Sequence, residues 1–241
     1  TSTKMVMPLR DAAEDIGRVI REGLLHPVFQ PIRDFRAQAY LGFEALIRGP
    51  ASSPLHRPDQ LFAAARSAGL AGALEQACRE ASLRAFARLG LPGRLFLNVT
   101  PGCLLDDRLM NGATCHLLND LGIAANRVVI ELTENQQITD LPGMHEGLLH
   151  FRRRGFQIAI DDLGEGFANL RMWSEVRPEF VKIDKHFIHG IADDRMKYHF
   201  VRAMQDLAEI CHASIVAEGI ERCEDFVFVR DLGIACAQGF F

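Results

Sequence analysis

The stretch Phe156–Leu170, FQIAIDDLGEGFANL, decides the fold that the sequence predicts. It opens with a short apolar run, Ile158–Ile160, of the kind that forms a buried parallel strand. Two adjacent carboxylates, Asp161 and Asp162, follow at once, and a loop with two glycines comes after them. Two acids at the end of a buried strand repel each other and lose hydration, so a divalent cation is the simplest group that offsets the cost. The alternative is that Asp162 only caps a turn while Asp161 points to water.

Length and composition exclude several classes of protein. The chain has 241 residues, 48% of them hydrophobic and 24% charged, which is ordinary for a globular protein and enough for one α/β barrel or two small domains. A net charge of −4 argues against an electrostatic nucleic-acid binder. There is no long apolar run, no secretory signal and no CxxC pair among the six cysteines. We therefore expect no DNA partner, no membrane segment in this chain, and a cytoplasmic location, either alone or as the cytoplasmic part of a larger, membrane-attached protein.

Segments typical of strands and helices alternate along the chain. An amphipathic segment near the start predicts a lead-in helix, and His26–Ile32 and Tyr40–Ile47 predict a hairpin, so the first two strands should be antiparallel. Further strands are predicted over Leu95–Val99, Val128–Leu132, Phe156–Asp161, Phe180–Asp184, Ser214–Glu218 and Ile234–Gln238. Helices are predicted over 57–68, 70–89, 113–121, 142–154, 169–175, 193–212 and 223–232. Repeated strand–helix units favour a closed parallel barrel over an open sheet, and the last helix of such a barrel is expected to be absent from this chain.

A polar residue stands at or near the carboxyl end of seven successive predicted strands. In a barrel those ends converge on one rim, where active sites of this architecture lie. Polar side chains at seven strand ends, with five carboxylates among the eight residues, are hard to explain as ordinary solvent-exposed residues, although a structural barrel with incidental acids is the alternative. The residues are Glu44, Asn98, Glu131, Asp161 with Asp162, Lys182, Glu218 and Gln238.

The atom types of this set indicate the chemistry. Hard oxygen ligands without thiolate or imidazole suit Mg²⁺ or Mn²⁺, and so many carboxylates fit two ions that activate water for attack on a phosphodiester. Lys182 could hold or help deprotonate that water or neutralise an oxyanion, or it could only balance excess acid. Arg48 shares a strand face with Glu44 and could contact a phosphate, with a salt bridge to a local acid as the alternative. His186 and His189 form an HxxH without a third ligand near in sequence, so zinc is not expected.

These residues lie in motifs that resemble the EAL-domain family of cyclic-di-GMP phosphodiesterases. The naming motif stands at Glu44–Leu46 within FEALIRG and matches the family's ExLxR. The match runs in order, with family-like spacing, from about Leu25 to the end of the chain. Its other motifs are FQPI at 29–32, LNVTP at 97–101, ELTE at 131–134, DDLGEG at 161–166, VKID at 181–184, AEGIE at 217–221 and QGFF at 238–241.

The resemblance implies a TIM-like (β/α)8 barrel with an antiparallel first strand over residues 25–241, after a lead-in helix over 1–24. It implies hydrolysis of cyclic di-GMP to linear pGpG in bacterial second-messenger signalling, with two Mg²⁺ or Mn²⁺ ions. By motif position the ligands of the first ion are Glu44, Asn98, Glu131 and Asp161, and those of the second are Asp161, Asp162 and Glu218. The catalytic residues would be Lys182, which contacts the nucleophilic water, Glu44, Glu221, which supports the water and metals, and Glu134, which steadies the loop after Asp162. The residues expected to bind substrate are Gln30, Arg48 and Gln238, the last of which also supports the metal shell.

The resemblance also implies partners and leaves one alternative. The expected partners are cyclic di-GMP, a second copy in a homodimer, and a flanking sensor or GGDEF-type domain. The family's usual DDFGTGYSSL differs here at five positions, and Glu165 in place of Thr adds a negative charge near the metals. We expect this change to alter regulation or loop anchoring and to leave the chemistry intact. The alternative is a catalytically silent receptor for cyclic di-GMP.

Overall fold

Eight strands of the described residues form a closed barrel in the order β1 to β8. The structure, a computed structural model, describes residues 9–100, 104, 112–132, 141–163 and 168–239. The α/β class and the TIM-like (β/α)8 architecture predicted from the sequence are confirmed. The strands are β1 His26–Asp34, β2 Ala39–Arg48, β3 Arg94–Val99, β4 Val128–Leu132, β5 Gln157–Leu163, β6 Phe180–Ile183, β7 Ser214–Ile220 and β8 Cys236–Gly239.

The first strand runs against its neighbours, as predicted. β1 pairs with β8 in antiparallel fashion, with Arg33 opposite Ala237 and Asp34 opposite Cys236. Only four residues separate β1 from β2, and so short a connection between adjacent strands makes an antiparallel hairpin. From β3 to β8 every neighbouring pair is parallel. The carboxyl ends of these strands therefore meet at one edge of the barrel.

From β2 to β7, one or two described helices follow each strand, and another helix precedes β1. Their bounds are α1 Leu9–Arg21, α2 Pro58–Ser67, α3 Ala71–Leu89, α4 Ala113–Asp120, α5 Leu141–Arg153, α6 Ala168–Val176, α7 Lys185–Ile188, α8 Arg195–Cys211 and α9 Cys223–Asp231, with 3₁₀ turns at Pro54–His56 and Ala125–Arg127.

Two local features differ from the sequence prediction. The short helix α7 was not predicted; it forms because Asp184, directly after β6, accepts a hydrogen bond from the backbone N–H of His186 at 2.8 Å and caps it. β8 begins at Cys236, two residues later than predicted. The first residue of the predicted strand, Ile234, belongs instead to the turn after α9, because the backbone N–H of Ile234 donates to the carbonyl of Val229 at 3.2 Å. Apolar character alone therefore placed the start of β8 too early.

A layer of apolar side chains fills the barrel beneath the rim. Side chains two residues apart on a strand point to the same face. On six strands, from β3 to β8, the residue two positions after a member of this layer is one of the polar residues singled out in the sequence, so the polar groups stack on the apolar floor. The buried layer comprises Ile32, Phe96, Val129, Ala159, Phe180, Val216 and Cys236.

The chain forms two compact units. One contains Thr1–Phe29 and Ala45–Gly90, and its core is a buried apolar cluster that includes Ile16 and Leu61. The other contains Gln30–Glu44 and Leu91–Phe241 and carries the polar residues of the strand ends, except Arg48. The predicted boundary between a lead-in helix and a domain that starts at residue 25 stays a prediction.

Candidate active site

Lys182 lies at the centre of the polar strand ends. Its side chain on β6 is almost fully buried, with a relative exposure of 2%. Its Nζ atom lies 2.7 to 3.0 Å from one carboxylate oxygen on each of four other strands. The four acids are Glu44 on β2, Glu131 on β4, Asp161 on β5 and Glu218 on β7, and with Lys182 we call them the acidic cluster.

Glu44 is held by residues from both sides of the barrel. Asn98 Nδ2 on β3 donates to its Oε1 at 3.1 Å, while Gln238 Nε2 on β8 and Lys182 Nζ donate to its Oε2 at 2.7 and 3.0 Å. The strand register explains this arrangement, because Asn98 lies opposite Glu131 and Gln238 lies opposite Glu218. The two amides therefore fix the orientation of one carboxylate at the entrance of the cluster.

The charges within the cluster do not balance. Four ionised carboxylates around one lysine leave a net charge of −3 in a mostly buried space. Burial of unpaired charge is costly, so such a site takes up protons or binds cations.

The pKa values shift accordingly in the metal-free protein. Burial raises the pKa of Glu131 well above its ordinary value, and Lys182 offsets the shift only in part. Burial likewise raises the pKa of Glu218, to about 7. Burial would also raise the pKa of Glu44, but Lys182 and the hydrogen bonds from Gln238 and Asn98 outweigh it and lower the pKa. Burial opposes the charge on Lys182, yet the surrounding carboxylates, Glu131 first, hold its pKa well above the ordinary value.

The oxygen atoms of the cluster fit divalent cations. Glu44, Glu131 and Asp161 each offer a carboxylate oxygen, and these atoms lie within 4.8 Å of one another. Among the described residues, Glu131 Oε2 and Gln238 Oε1 are buried and have no hydrogen-bond partner. Lys182 approaches Glu131 Oε1 and Asp161 Oδ1 within ion-pair distance but without hydrogen-bond geometry. Buried oxygens with unused lone pairs and a surplus of negative charge suit hard ions such as Mg²⁺, Mn²⁺ or Ca²⁺.

The structure brings together seven of the predicted site residues, namely Glu44, Asn98, Glu131, Asp161, Lys182, Glu218 and Gln238. Glu221 is exposed directly after β7, Gln30 is half-buried on β1, and Arg48 donates a hydrogen bond to the carbonyl of Ile47 at 2.8 Å. Glu134, Glu165 and the side chain of Asp162 lie outside the described residues. The roles predicted for all these residues remain predictions.

Gly219 is a structural requirement of the site that the sequence analysis did not single out. It lies between Glu218 and Glu221 with a positive φ of 65°, and a Cβ atom added there would lie 2.4 Å from the Cβ of Lys185. The glycine lets the chain turn at the end of β7 while the segment after β6 packs against it. Its position directly after a strand-end carboxylate was the available signal in the sequence.

Fold and site together define a (β/α)8-barrel protein with a buried acidic cluster suited to hard cations. The profile of the EAL domain matches residues 13–241, so the chain belongs to this family. The family predicted from the motifs is thereby confirmed.

Relatives of known name or structure agree with this assignment. The chain is 30% identical over 239 residues to the cyclic di-GMP phosphodiesterase PdeF of Escherichia coli, covering 96% of this chain and 32% of PdeF. It also resembles the manganese/cy-diGMP complex of Klebsiella pneumoniae BlrP1 at pH 9.0, with a TM-score of 0.80 and 27% identity over 90% of this chain and 55% of that one. The Xanthomonas citri FimX EAL domain in complex with c-diGMP shares the fold, with a TM-score of 0.85 at 16% identity over 96% of this chain and 91% of that one. The chain spans about a third of the length of the curated relatives it matches.

Among the described helices, none combines the length and the apolar character that crossing a membrane requires.

Proposed function

We propose that this chain hydrolyses cyclic di-GMP to linear pGpG with two Mg²⁺ or Mn²⁺ ions. The observation that carries the proposal is the acidic cluster, in which four strand-end carboxylates surround one buried lysine. PdeF, a relative at 30% identity, is named as a cyclic di-GMP phosphodiesterase, and the BlrP1 structure holds manganese and cyclic di-GMP.

The proposed ligands divide between two ions. Glu44, Asn98, Glu131 and Asp161 would hold the first, and Asp161, Asp162 and Glu218 would hold the second. When bound, the ions would supply an activated water and a counter-charge for the phosphodiester oxygens.

Lys182 has a defined part in this proposal. Its pKa is raised by the carboxylates around it, so in the metal-free cluster it is an ammonium group that donates hydrogen bonds and does not accept a proton. We therefore assign it the orientation of the attacking water and the neutralisation of charge on a phosphate oxygen, and we set aside its use as a base. Its position against Glu44 and Glu218, at 3.0 and 2.7 Å, fixes its Nζ atom between the strands that would hold the two ions.

The remaining predicted roles belong to the same proposal. Gln238 would hold Glu44 in place and contact substrate, Gln30 and Arg48 would contact the nucleotide, and Glu221 and Glu134 would support the water and the adjacent loop. A homodimer, a flanking sensor or GGDEF-type domain and a cytoplasmic location are likewise proposed from the family.

The test is product formation from cyclic di-GMP. We expect the purified chain to form pGpG with Mg²⁺ or Mn²⁺ and none in EDTA. Glu131→Gln keeps the shape of the side chain and should abolish turnover, because it replaces a buried anionic carboxylate by a neutral amide with only one acceptor oxygen. Arg202→Gln, which changes an exposed ion pair with Asp206 on α8, serves as the control and should leave turnover unchanged. Tight binding of cyclic di-GMP without product would refute the enzyme and favour the silent receptor.

A further inference from the structure

A cavity of about 340 Å³ lies just beyond the carboxyl ends of β6 and β7 and opens to solvent. Lys185 stands two residues after the end of β6, and Glu221 directly follows β7. The cavity therefore borders the acidic cluster without using its residues. Its lining, which we call the cationic cavity, comprises Lys185, His186, His189, Lys197, Gly219 and Glu221.

Positive charge exceeds negative charge in this lining. Two lysines face one carboxylate, that of Glu221, and the two imidazoles add further N–H groups. Neither Lys185 nor Lys197 forms an ion pair with a carboxylate of the described residues. Lys197 Nζ donates to the carbonyl of His189 at 2.6 Å, which leaves two of its three N–H groups for another acceptor. The cavity thus offers donors and a surplus of positive charge.

Neighbouring residues hold the lining in place. Asp225 on α9 is 1% exposed and accepts hydrogen bonds from the backbone N–H groups of Gly190 and Ala192, at 2.9 and 3.2 Å. These two bonds fix the turn that follows His189. On the other side, Gly219 lets the stem of Lys185 lie against β7, since any Cβ there would collide with it. The donors are therefore positioned by contacts from β7 and α9.

A metal ion does not fit this cavity. Among the described residues, the group with ligand atoms close enough to hold an ion is Glu44, Glu131 and Asp161, and it does not include the histidines. Two lysine ammonium groups would also repel a cation. An anion with several acceptor oxygens suits the lining, and a phosphate group carries about −1.5 to −2 charges and three such oxygens at neutral pH. The volume also leaves room for the sugar of a phosphate ester, because small-molecule pockets begin at about 300 Å³.

We propose that the cationic cavity is a binding site for a phosphate group. Two sources carry such a group: the terminal phosphate of linear pGpG at the adjacent acidic cluster, and free inorganic phosphate. Binding of phosphate needs no turnover, so the binding experiment tests this site independently of the proposed hydrolysis.

The test is calorimetric titration of the 241-residue chain with inorganic phosphate in EDTA. Without metal the acidic cluster is negatively charged and repels phosphate, so saturable binding reports on the cationic cavity. We expect Lys185→Gln/Lys197→Gln to weaken binding at least about tenfold, since each lysine supplies charge-assisted hydrogen bonds. Lys185→Arg keeps the charge and should retain most of the affinity. Arg202→Gln removes a charge from the same helix as Lys197 and should leave the affinity for phosphate unchanged. Thermal unfolding of each variant shows that it is folded.

Two results would overturn the site: no saturable binding of millimolar phosphate by the unaltered chain, or equal affinity in the double variant. The source is then identified by competition in EDTA, where no metal ion can hold phosphate. Displacement of phosphate by pGpG supports a subsite for the terminal phosphate of that dinucleotide. Simultaneous binding of phosphate and dinucleotide supports a separate site for free phosphate.

Discussion

Replacement of Lys182 by Met removes the cation from the acidic cluster while keeping a long apolar stem. In the metal-free chain the substitution leaves four carboxylates facing one another without a counter-charge. We expect the free energy of unfolding to fall by about 3–5 kcal/mol at pH 8, the usual cost of breaking a buried ion pair by removing one partner.

The magnitude follows from the distances. At 3 Å and an effective dielectric constant near 20, each contact between Lys182 and a carboxylate is worth about 5 kcal/mol of attraction. The repulsion between two carboxylate oxygens 4.8 Å apart is about 3.5 kcal/mol on the same scale. Without proton uptake, loss of the lysine would therefore cost far more than about 3–5 kcal/mol, and protonation of the acids reduces the cost to that range.

Proton uptake gives the variant a characteristic pH dependence. Carboxyls whose pKa is raised on folding stabilise the fold below about pH 4.5, their ordinary value, and lose that contribution as pH rises through the raised pKa. Since the acids of Lys182→Met have higher pKa values than those of the unaltered chain, its stability should fall more steeply between pH 5 and pH 8. Mn²⁺ should restore much of the loss, because a divalent cation replaces the missing charge.

The assay is urea unfolding followed by circular dichroism, in EDTA and in Mn²⁺, at both pH values. Lys185→Met is the matched control, since Lys185 is an exposed lysine three residues away, and it should change stability by less than about 0.5 kcal/mol. If Lys182→Met folds poorly, the double variant Lys182→Met/Glu131→Gln should recover part of the stability by removing one negative charge. Equal urea midpoints for Lys182→Met and the unaltered chain at pH 8 in EDTA would refute the charge argument.

Three further predictions concern other parts of the molecule. Binding of Mn²⁺ should tighten from pH 5 to pH 8 and release protons. Burial raises the pKa of Glu218 to about 7 and the pKa of Glu131 well above its ordinary value, so the metal must displace protons from these groups. Calorimetry in buffers of different ionisation enthalpy measures the release, and the absence of proton release would contradict the prediction. Gly219→Ala should destabilise the fold by about 1–3 kcal/mol more than Gly90→Ala. Both glycines have positive φ, but only at Gly219 would the added Cβ atom collide with another side chain, that of Lys185. Chemical unfolding compares the two variants, and equal losses of stability would show that Lys185 moves aside freely. Iodoacetamide at pH 8 should modify the exposed thiols of Cys211 and Cys223. It should spare Cys78 and Cys236, because burial raises the pKa of these two thiols to about 12. Peptide mapping identifies the labelled cysteines, and rapid labelling of Cys78 would contradict the prediction.

Much of the site could be read from the sequence because it depends on local periodicity. A strand places residues two apart on one face, so a polar residue two positions after a buried apolar one lies at the strand end on the inner side. Glu131 after Val129 and Lys182 after Phe180 follow this rule. Ordered motifs then indicated the family, and the barrel followed from the alternation of strands and helices.

The contacts between these residues were decided by the tertiary structure. Gln238 donates to Glu44 across 194 residues of sequence, because closure of the barrel places β8 next to β1 and therefore near β2. Closure also makes Lys182 the counter-ion of acids on four other strands. The sequence pattern of a single strand does not predict how many acids surround the lysine.

The cationic cavity shows the same division. In the sequence His186 and His189 formed only a pair without a third metal ligand, and zinc was not expected there. The fold places them beside Lys185, Lys197 and Glu221, and this lining is the basis of the phosphate site proposed above. Periodicity determines which face of its own strand or helix a side chain occupies, whereas the partners across a cavity depend on how distant segments pack.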